Sequence, residues 1–292
     1  MSSTESAAAR FATLESWPTP DLAHALLETQ LSAAAAALAT APELALAIDA
    51  GAARLAQGGR IVSFGAGTSG RLAVLDAAEL KPTFDWPPER ALALIAGGDD
   101  ALVNAIEGAE DDGPAAVTAL DRLQVGPADV VIGVAASGRT PFTLAGLRHA
   151  RANGALTIAI TNVPLSPLAE AAEIALVAAT GAEIIAGSTR MKAGTAQKIL
   201  LNALSTGMMV RLGAVYRGRM VEMRPTNAKL RARAESMVAE LAGCTPEAAR
   251  AALHDGGTIK VAVVMLCRGL DAEAAQERLA QAGGLLAKAL AL

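Results

Sequence analysis

The chain has 292 residues, 52% of them hydrophobic and 18% charged, with a formal net charge of −4. That length and composition suit one large α/β domain with a smaller appendage, able to bury a core without disulfide staples. The charge excludes a nucleic-acid partner from the expectation, because Lys and Arg are scattered and form no basic stripe for a polyanion.

In chain order, the opening MSSTESAAAR has an acidic residue and no apolar run, so a cytoplasmic location is expected rather than export. Residues 1–20 are read as an N-terminal arm. The next apolar stretch, LSAAAAALATAPELALAIDAGA, is mostly alanine and is interrupted by Pro42, Glu43 and Asp49. It predicts helices packed closely on the fold, and no membrane partner. Five short apolar runs follow, RIVSFGAG, ALALIAGG, DVVIGVAASG, ALTIAITN and EIALVAAT, each ending in glycine or hydroxyl residues before a helical pattern. Strands buried on both faces and separated by helices make the expected fold α/β, a doubly wound, mostly parallel five-stranded sheet. From Lys192 onward helix patterns take over, in AQKILLNALSTGMMVRLGAV and NAKLRARAESMVAEL. Three short helices are expected after Gly243, one opening at Thr245-Pro246-Glu247, one beyond Gly256-Gly257 and one at Asp271. The domain expectation is 21–225 for the α/β part and 226–292 for a small helical C-terminal domain. Cys244 and Cys267 have no C-x-x-C spacing, which argues against a disulfide framework or a thiolate metal site.

The loop after the first strand reads GAGTSGR, with Gly65, Gly67 and Gly70 in the G-x-G-x-x-G spacing of dinucleotide sites. Such a site also needs an acidic residue about twenty positions on, at the end of the second strand, to hold the ribose. Asp85 has roughly that separation but sits in KPTFDWPPE, ahead of the next strand. The ribose anchor is missing from its expected place, which argues against a dinucleotide. Gly67, Thr68 and Ser69 before a helix suit a phosphate monoester instead, held by backbone N–H groups, hydroxyls and the helix dipole. Ser137, Gly138, Arg139 and Thr140, again between a strand and a helix, repeat that chemistry. Both loops belong to the carboxyl edge of one parallel sheet, so one phosphorylated small molecule can touch both.

GAGTSGRLAVLDAAELKPTF, AIEGAEDD, AASGRTPF and GSTRMKAGTAQKILLNALSTGMM resemble the successive signatures of the N-acetylmuramic acid 6-phosphate etherases, bacterial members of the sugar isomerase (SIS) superfamily. The resemblance runs from about Gly59 to Asn227 and continues more loosely to the end. The same motifs are similar in the vertebrate glucokinase regulatory protein, so they mark sugar-phosphate binding more surely than catalysis. The resemblance implies an enzyme that cleaves the ether between C3 of the sugar and D-lactate, with neither cofactor nor metal. It implies two functional glutamates, Glu79 as proton donor to the leaving lactate and Glu110 as the second acid/base group. Within GSTRMK it points to Ser188, Arg190 and Lys192 as contacts to the phosphate or the lactate carboxylate. It also implies a homodimer, in which AQKILLNALSTGMMV would form part of a two-fold interface.

Read from the residues alone, Glu79 lies near the carboxyl end of the helix opened by the phosphate loop, where the dipole favours a group that keeps its proton. Glu110 belongs to a charge run, Glu107, Glu110, Asp111 and Asp112, of the kind that usually faces solvent. His24, His149 and His254 are dispersed and suggest neither a triad nor a metal cluster. Met208, Met209 and the leucines near them have helical spacing and read as core or interface. Two features depart from the family pattern: a shorter segment ahead of TLES, and Leu80-Lys81 after Glu79, where an inward lysine would act on the proposed acid. Two other functions remain open at this point, a non-catalytic sugar-phosphate-binding regulator and an aldose–ketose isomerase of the same superfamily.

Overall fold

All five apolar runs form strands. The structure, a computed structural model, describes residues 6–292. Of the expected arm, residues 1–5 lie outside the described residues, and the remainder holds two short 3-10 turns, Ala9–Phe11 and Leu14–Ser16. Helices α1 (Thr19–Leu38) and α2 (Ala41–Ala56) follow. Strands β1 (Ile61–Gly65), β2 (Ala91–Ile95), β3 (Val130–Val134), β4 (Leu156–Thr161) and β5 (Ile174–Val177) form one parallel sheet in the order β2-β1-β3-β4-β5. The intervening helices are α3 (Gly67–Phe84), α4 (Gly113–Arg122), α5 (Pro141–Ala152) and α6 (Pro167–Ala171), with α7 (Lys192–Arg211) after the sheet. Every residue of β1, β3 and β4 is buried, Ser63, Thr157 and Thr161 included, as strands covered on both faces require.

By its internal contacts the chain divides into two compact units, one of residues up to Ala78 with Pro88–Thr206, the other of Glu79–Pro87 with Gly207–Leu292. The expected boundary at 225/226 falls inside the second unit. That unit contains a small antiparallel ribbon, β6 (Val215–Tyr216) with β7 (Arg219–Met220), then α8 (Ala228–Ala242), α9 (Pro246–Gly256), α10 (Ile259–Arg268), α11 (Ala272–Gln281) and α12 (Leu286–Ala291). The ribbon and α12 have no counterpart in the sequence reading, being too short for a periodic signal. Asn227, Thr245, Thr258 and Asp271 cap α8 to α11, each accepting the backbone N–H three residues on. Lys260 is buried there, donating to Glu222 and, at 2.8 Å, to the Gly284 carbonyl.

On α1 the buried residues are alanines, Ala25, Ala33 and Ala37, which let the helix lie close to its neighbours as expected. Leu27, Leu31 and Leu38 point outward instead. On α7 most of the large apolar side chains turn inward. Leu200, Leu201, Leu204, Met208 and Met209 are all at most 1% exposed within the single chain and are core, while Lys198, Thr206 and Val210 of AQKILLNALSTGMMV are exposed. Among the described residues no single helix is long and apolar enough to cross a membrane; only the bent pair α1 and α2, broken by 57°, passes on length and composition.

Candidate active site

The strand order reverses between β1 and β3: β2 lies on one side of β1, and β3 followed by β4 and β5 on the other. A parallel sheet opens a crevice beyond the carboxyl ends of its strands at such a switch point. The two hydroxyl-bearing loops leave the sheet there. Gly65 pairs with Val134 across β1 and β3, and a β-carbon on Gly65 would come within 2.6 Å of the Val134 carbonyl oxygen. Glycine therefore lets the two strand ends close up. Gly70 plays a second structural part, since a β-carbon there would meet the Gly65 carbonyl oxygen and Ile95, both at 2.6 Å. Helix α3 can start directly against the sheet only without that carbon.

The first intrahelical bond of α3 runs from the Gly70 N–H to Ala66 at 3.2 Å. The N–H groups of Gly67, Thr68 and Ser69 precede it and have no partner within the helix, so the helix start is disposed to take an anion. The second loop is held from behind by α5. Phe142 packs edge-on against Phe64, with ring centroids 6.2 Å apart, and Gly146 leaves room for the Phe64 ring. In the loop Ser137 Oγ accepts the Arg139 N–H at 3.2 Å, which leaves the hydroxyl proton for a ligand.

These loops line a cleft of about 460 Å³. Gly67, Thr68, Ser69, Ser137, Arg139 and Thr140 border it, and so does Glu110, which the charge pattern alone assigned to solvent. Asp111, Gly187 and Thr189 join them. Gly138 is buried behind the loop and shapes it. The acidic run is thus divided among several tasks: Glu110 and Asp111 face the cleft, while Asp112 caps α4 by accepting the Ala115 N–H at 3.0 Å. A ligand in the cleft meets N–H, hydroxyl and guanidinium donors together with two carboxylates.

Ser188, Arg190 and Lys192 are not among the cleft-lining residues of the chain. Ser188 is half-buried and its carbonyl accepts the Met191 N–H, Arg190 is exposed, and Lys192 opens α7. The N–H groups at the start of α7 are already taken, for the buried carboxyl group of Glu183 accepts those of Lys192 at 3.2 Å and Ala193 at 2.9 Å. Glu79 is exposed and belongs to the second unit. The helix runs on to Phe84 and closes at Asp85, which has φ +51° and bonds to the Lys81 carbonyl at 3.0 Å. Glu79 therefore lies ahead of the last turn, to which dipole effects are largely confined, and the dipole argument for it fails. Lys81 pairs with Asp85, which also binds Arg224, so its ammonium is directed to that carboxylate.

Sequence reasoning missed a buried relay behind the cleft. Ser69 Oγ donates to Gln197 Oε1 at 2.9 Å, Gln197 Nε2 donates to Asn162 Oδ1 at 3.0 Å, and Asn162 Nδ2 donates to the Ala178 carbonyl at 3.0 Å. All three side chains are buried, and they join the start of α3 to α7 and to the ends of β4 and β5. Gln197 lies in the GTAQK signature and Asn162 directly after a strand run, but nothing in either position announces the pairing. Arg71 was also missed, although it follows the glycine loop directly. It donates to the carbonyls of Leu102 at 2.9 Å and Asn104 at 2.8 Å.

Residues 43–151 match the glucokinase regulatory protein N-terminal SIS domain, and residues 112–207 match the SIS domain. Among solved structures, a phosphoheptose isomerase from Francisella tularensis aligns with TM-score 0.50 at 20% identity, covering 66% of this chain and 98% of its own. An E. coli CFT073 protein solved as a ligand complex aligns with TM-score 0.51, also at 20% identity, covering 69% and 97%. At that identity the likeness shows the SIS-type fold. The N-acetylmuramic acid 6-phosphate etherase of Deinococcus radiodurans is 52% identical over 94% of this chain and 90% of its own length. That of Salmonella choleraesuis is 49% identical over 95% and 94%. With the order of its motifs, its sheet and its near full-length identity to these proteins in agreement, the chain belongs to the N-acetylmuramic acid 6-phosphate etherase family.

Proposed function

We infer that this protein is a lyase of amino-sugar recycling that converts N-acetylmuramic acid 6-phosphate to N-acetylglucosamine 6-phosphate and D-lactate. The observation that brings the family activity to this chain is the place of Glu110, in one cleft with both hydroxyl-bearing loops. The donor wall formed by Gly67, Thr68, Ser69, Ser137, Arg139 and Thr140, with Gly138 shaping its second loop, takes the 6-phosphate, and Ser188, Arg190 and Lys192, outside the cleft lining of the single chain, are proposed as further contacts of substrate. In the open-chain sugar the aldehyde acidifies the C2 proton. Glu110 takes that proton, the C2–C3 double bond forms as the C3–O bond breaks, and Glu79 hands a proton to the departing lactate oxygen. Water then adds at C3 and a proton returns to C2. The balance is hydrolysis of the ether and requires no redox step.

A second copy of the chain is proposed to complete each site and to bring its Glu79 there, which is the role of the homodimer. The outward Leu27, Leu31 and Leu38 share one face of α1, in a stretch of α1 and the following turn that carries no charge from 31 to 42, and they supply the apolar contact. The proposed division of labour assigns the chemistry to residues 21–225 and leaves 226–292 as a helical domain, in a cytoplasmic protein. Incubation with N-acetylmuramic acid 6-phosphate followed by product analysis tests the reading. D-lactate together with N-acetylglucosamine 6-phosphate is expected. Ketose formation identifies an isomerase, and binding without turnover identifies a regulator; either result refutes the lyase.

A further inference from the structure

The segment 97–112, which carries Glu110, is mostly exposed, with Ala101 buried and Ala109 packed on the core. One side borders the cleft of about 460 Å³, and the other borders a separate cavity of about 610 Å³ that Leu102, Ile106, Glu107 and Ala109 share with Val74 of α3. Its backbone hydrogen bonds close largely on the segment itself, Ala101 to Gly98, Asn104 to Asp100, Ala109 to Ile106 and Asp111 to Gly108. Bonds of this kind set local shape and leave the position of the segment free. Within the segment Ile106 packs over Gly97. From outside, the turn Ala109–Asp111 lies against α5, and the Arg71 guanidinium grips the carbonyls of Leu102 and Asn104 from α3.

We propose that Arg71 is a positioning residue for Glu110, holding the acid-bearing loop in register with the phosphate-binding start of α3. Arg71 follows Gly70, so the same first turns of α3 that offer N–H groups to the phosphate also hold the loop. Its planar fork spans two carbonyls two residues apart, a geometry that a lysine ammonium cannot reproduce. Loss of the fork releases the loop into the space behind it and moves the carboxylate without touching the donor wall. The inference rests on the assignment of Glu110 as an acid/base group.

The test is a double-mutant cycle on the full chain, comparing wild type, Arg71→Met, Glu110→Gln and the double variant. Each is assayed for D-lactate release at saturating substrate and for binding of N-acetylglucosamine 6-phosphate. Arg71→Met is expected to lower kcat by about 10²-fold, the order expected for a misplacement near 1 Å. Product affinity is expected to stay within about threefold, and in the Glu110→Gln background the same change is expected to cost less than about threefold in kcat. Arg71→Lys should fall between wild type and Arg71→Met, and it carries the cycle should the methionine variant not fold. An equal loss in both backgrounds, or product affinity falling in step with kcat, overturns the positioning role while leaving Glu110 in place. Wild-type turnover by Glu110→Gln alone overturns both.

Discussion

Gly138→Ala addresses the geometry of the phosphate loop most directly. Gly138 has φ +63°, where a β-carbon costs about 1–2 kcal/mol. That carbon would also come within 2.2 Å of Ser166 Oγ, 2.5 Å of Ser166 Cβ and 2.8 Å of Thr161 Oγ1. Ser166 cannot turn aside cheaply, because it is fully buried and caps α6 through the Ala169 N–H. The overlap adds about 1–3 kcal/mol, making roughly 2–5 kcal/mol together. For a domain of this size that lowers Tm by roughly 4–20 °C. Relief of the clash requires the loop to retreat by about an ångström, the scale on which positioned groups lose about 10²-fold in rate. Two controls separate the contributions. Gly58 has φ +92° with nothing within 4 Å of its β-carbon position, so Gly58→Ala carries backbone strain alone. Gly126 has neither a positive φ nor a neighbour within 4 Å, and Gly126→Ala should be neutral or stabilising by about 0.4–1 kcal/mol. The assays are thermal unfolding and titration with N-acetylglucosamine 6-phosphate. Were Gly138→Ala no more destabilising than Gly58→Ala, and its affinity unchanged, the Ser166 wall would be shown to yield and the packing argument would fail.

Asp129 accepts from Arg60 Nη2 at 2.7 Å, from the Arg60 N–H and from the Gly126 N–H; burial alone would raise its carboxyl, but these bonds and the Arg60 charge hold it below the usual range. Asp129→Asn should cost about 3 kcal/mol in urea unfolding at pH 7, the low end for a broken buried pair because the Arg60 side chain keeps 27% exposure. Since the folded carboxyl is depressed, the stabilisation is present above the unfolded value near 3.9 and is lost as pH falls through the folded one; a gap between wild type and variant that stays constant below pH 4 refutes the assignment. Gln197→Leu leaves the Ser69 hydroxyl and the Asn162 carbonyl oxygen without their buried partners, and should destabilise by about 2–6 kcal/mol, read by the same unfolding titration. Ser137→Ala should weaken product binding, whereas Glu79→Gln should lower turnover by roughly 10²–10⁴ with product binding largely kept. If Glu79→Gln instead lost product binding and turned over normally at saturation, Glu79 would be a ligand contact.

The strands and most of the helices were legible because their signals are local. A short β-branched run such as VVIGV, closed by glycine and hydroxyl residues, reads as a strand buried on both faces, and a cap such as Thr245 followed by Pro246 marks a helix start wherever the chain goes next. The glycine loops were legible for the same reason, as strand-to-helix turns with donors. What tertiary structure alone decided depends on which segments meet. Strand order set the switch point between β1 and β3, and so made one cleft of two loops some seventy residues apart in sequence. It also sorted Glu110, Asp111 and Asp112, identical in character as a charge run, into two cleft carboxylates and a helix cap. The leucines of α1 and α7 look alike in sequence, yet those of α7 are core and three of α1 face outward, because burial depends on the neighbour a helix face finds and not on the face itself. Ser69, Gln197 and Asn162 are polar residues that any sequence pattern would leave on a surface. Their burial became favourable only when the fold brought each donor to an acceptor, and a hydrogen bond between residues more than a hundred positions apart leaves no trace in the order of the letters.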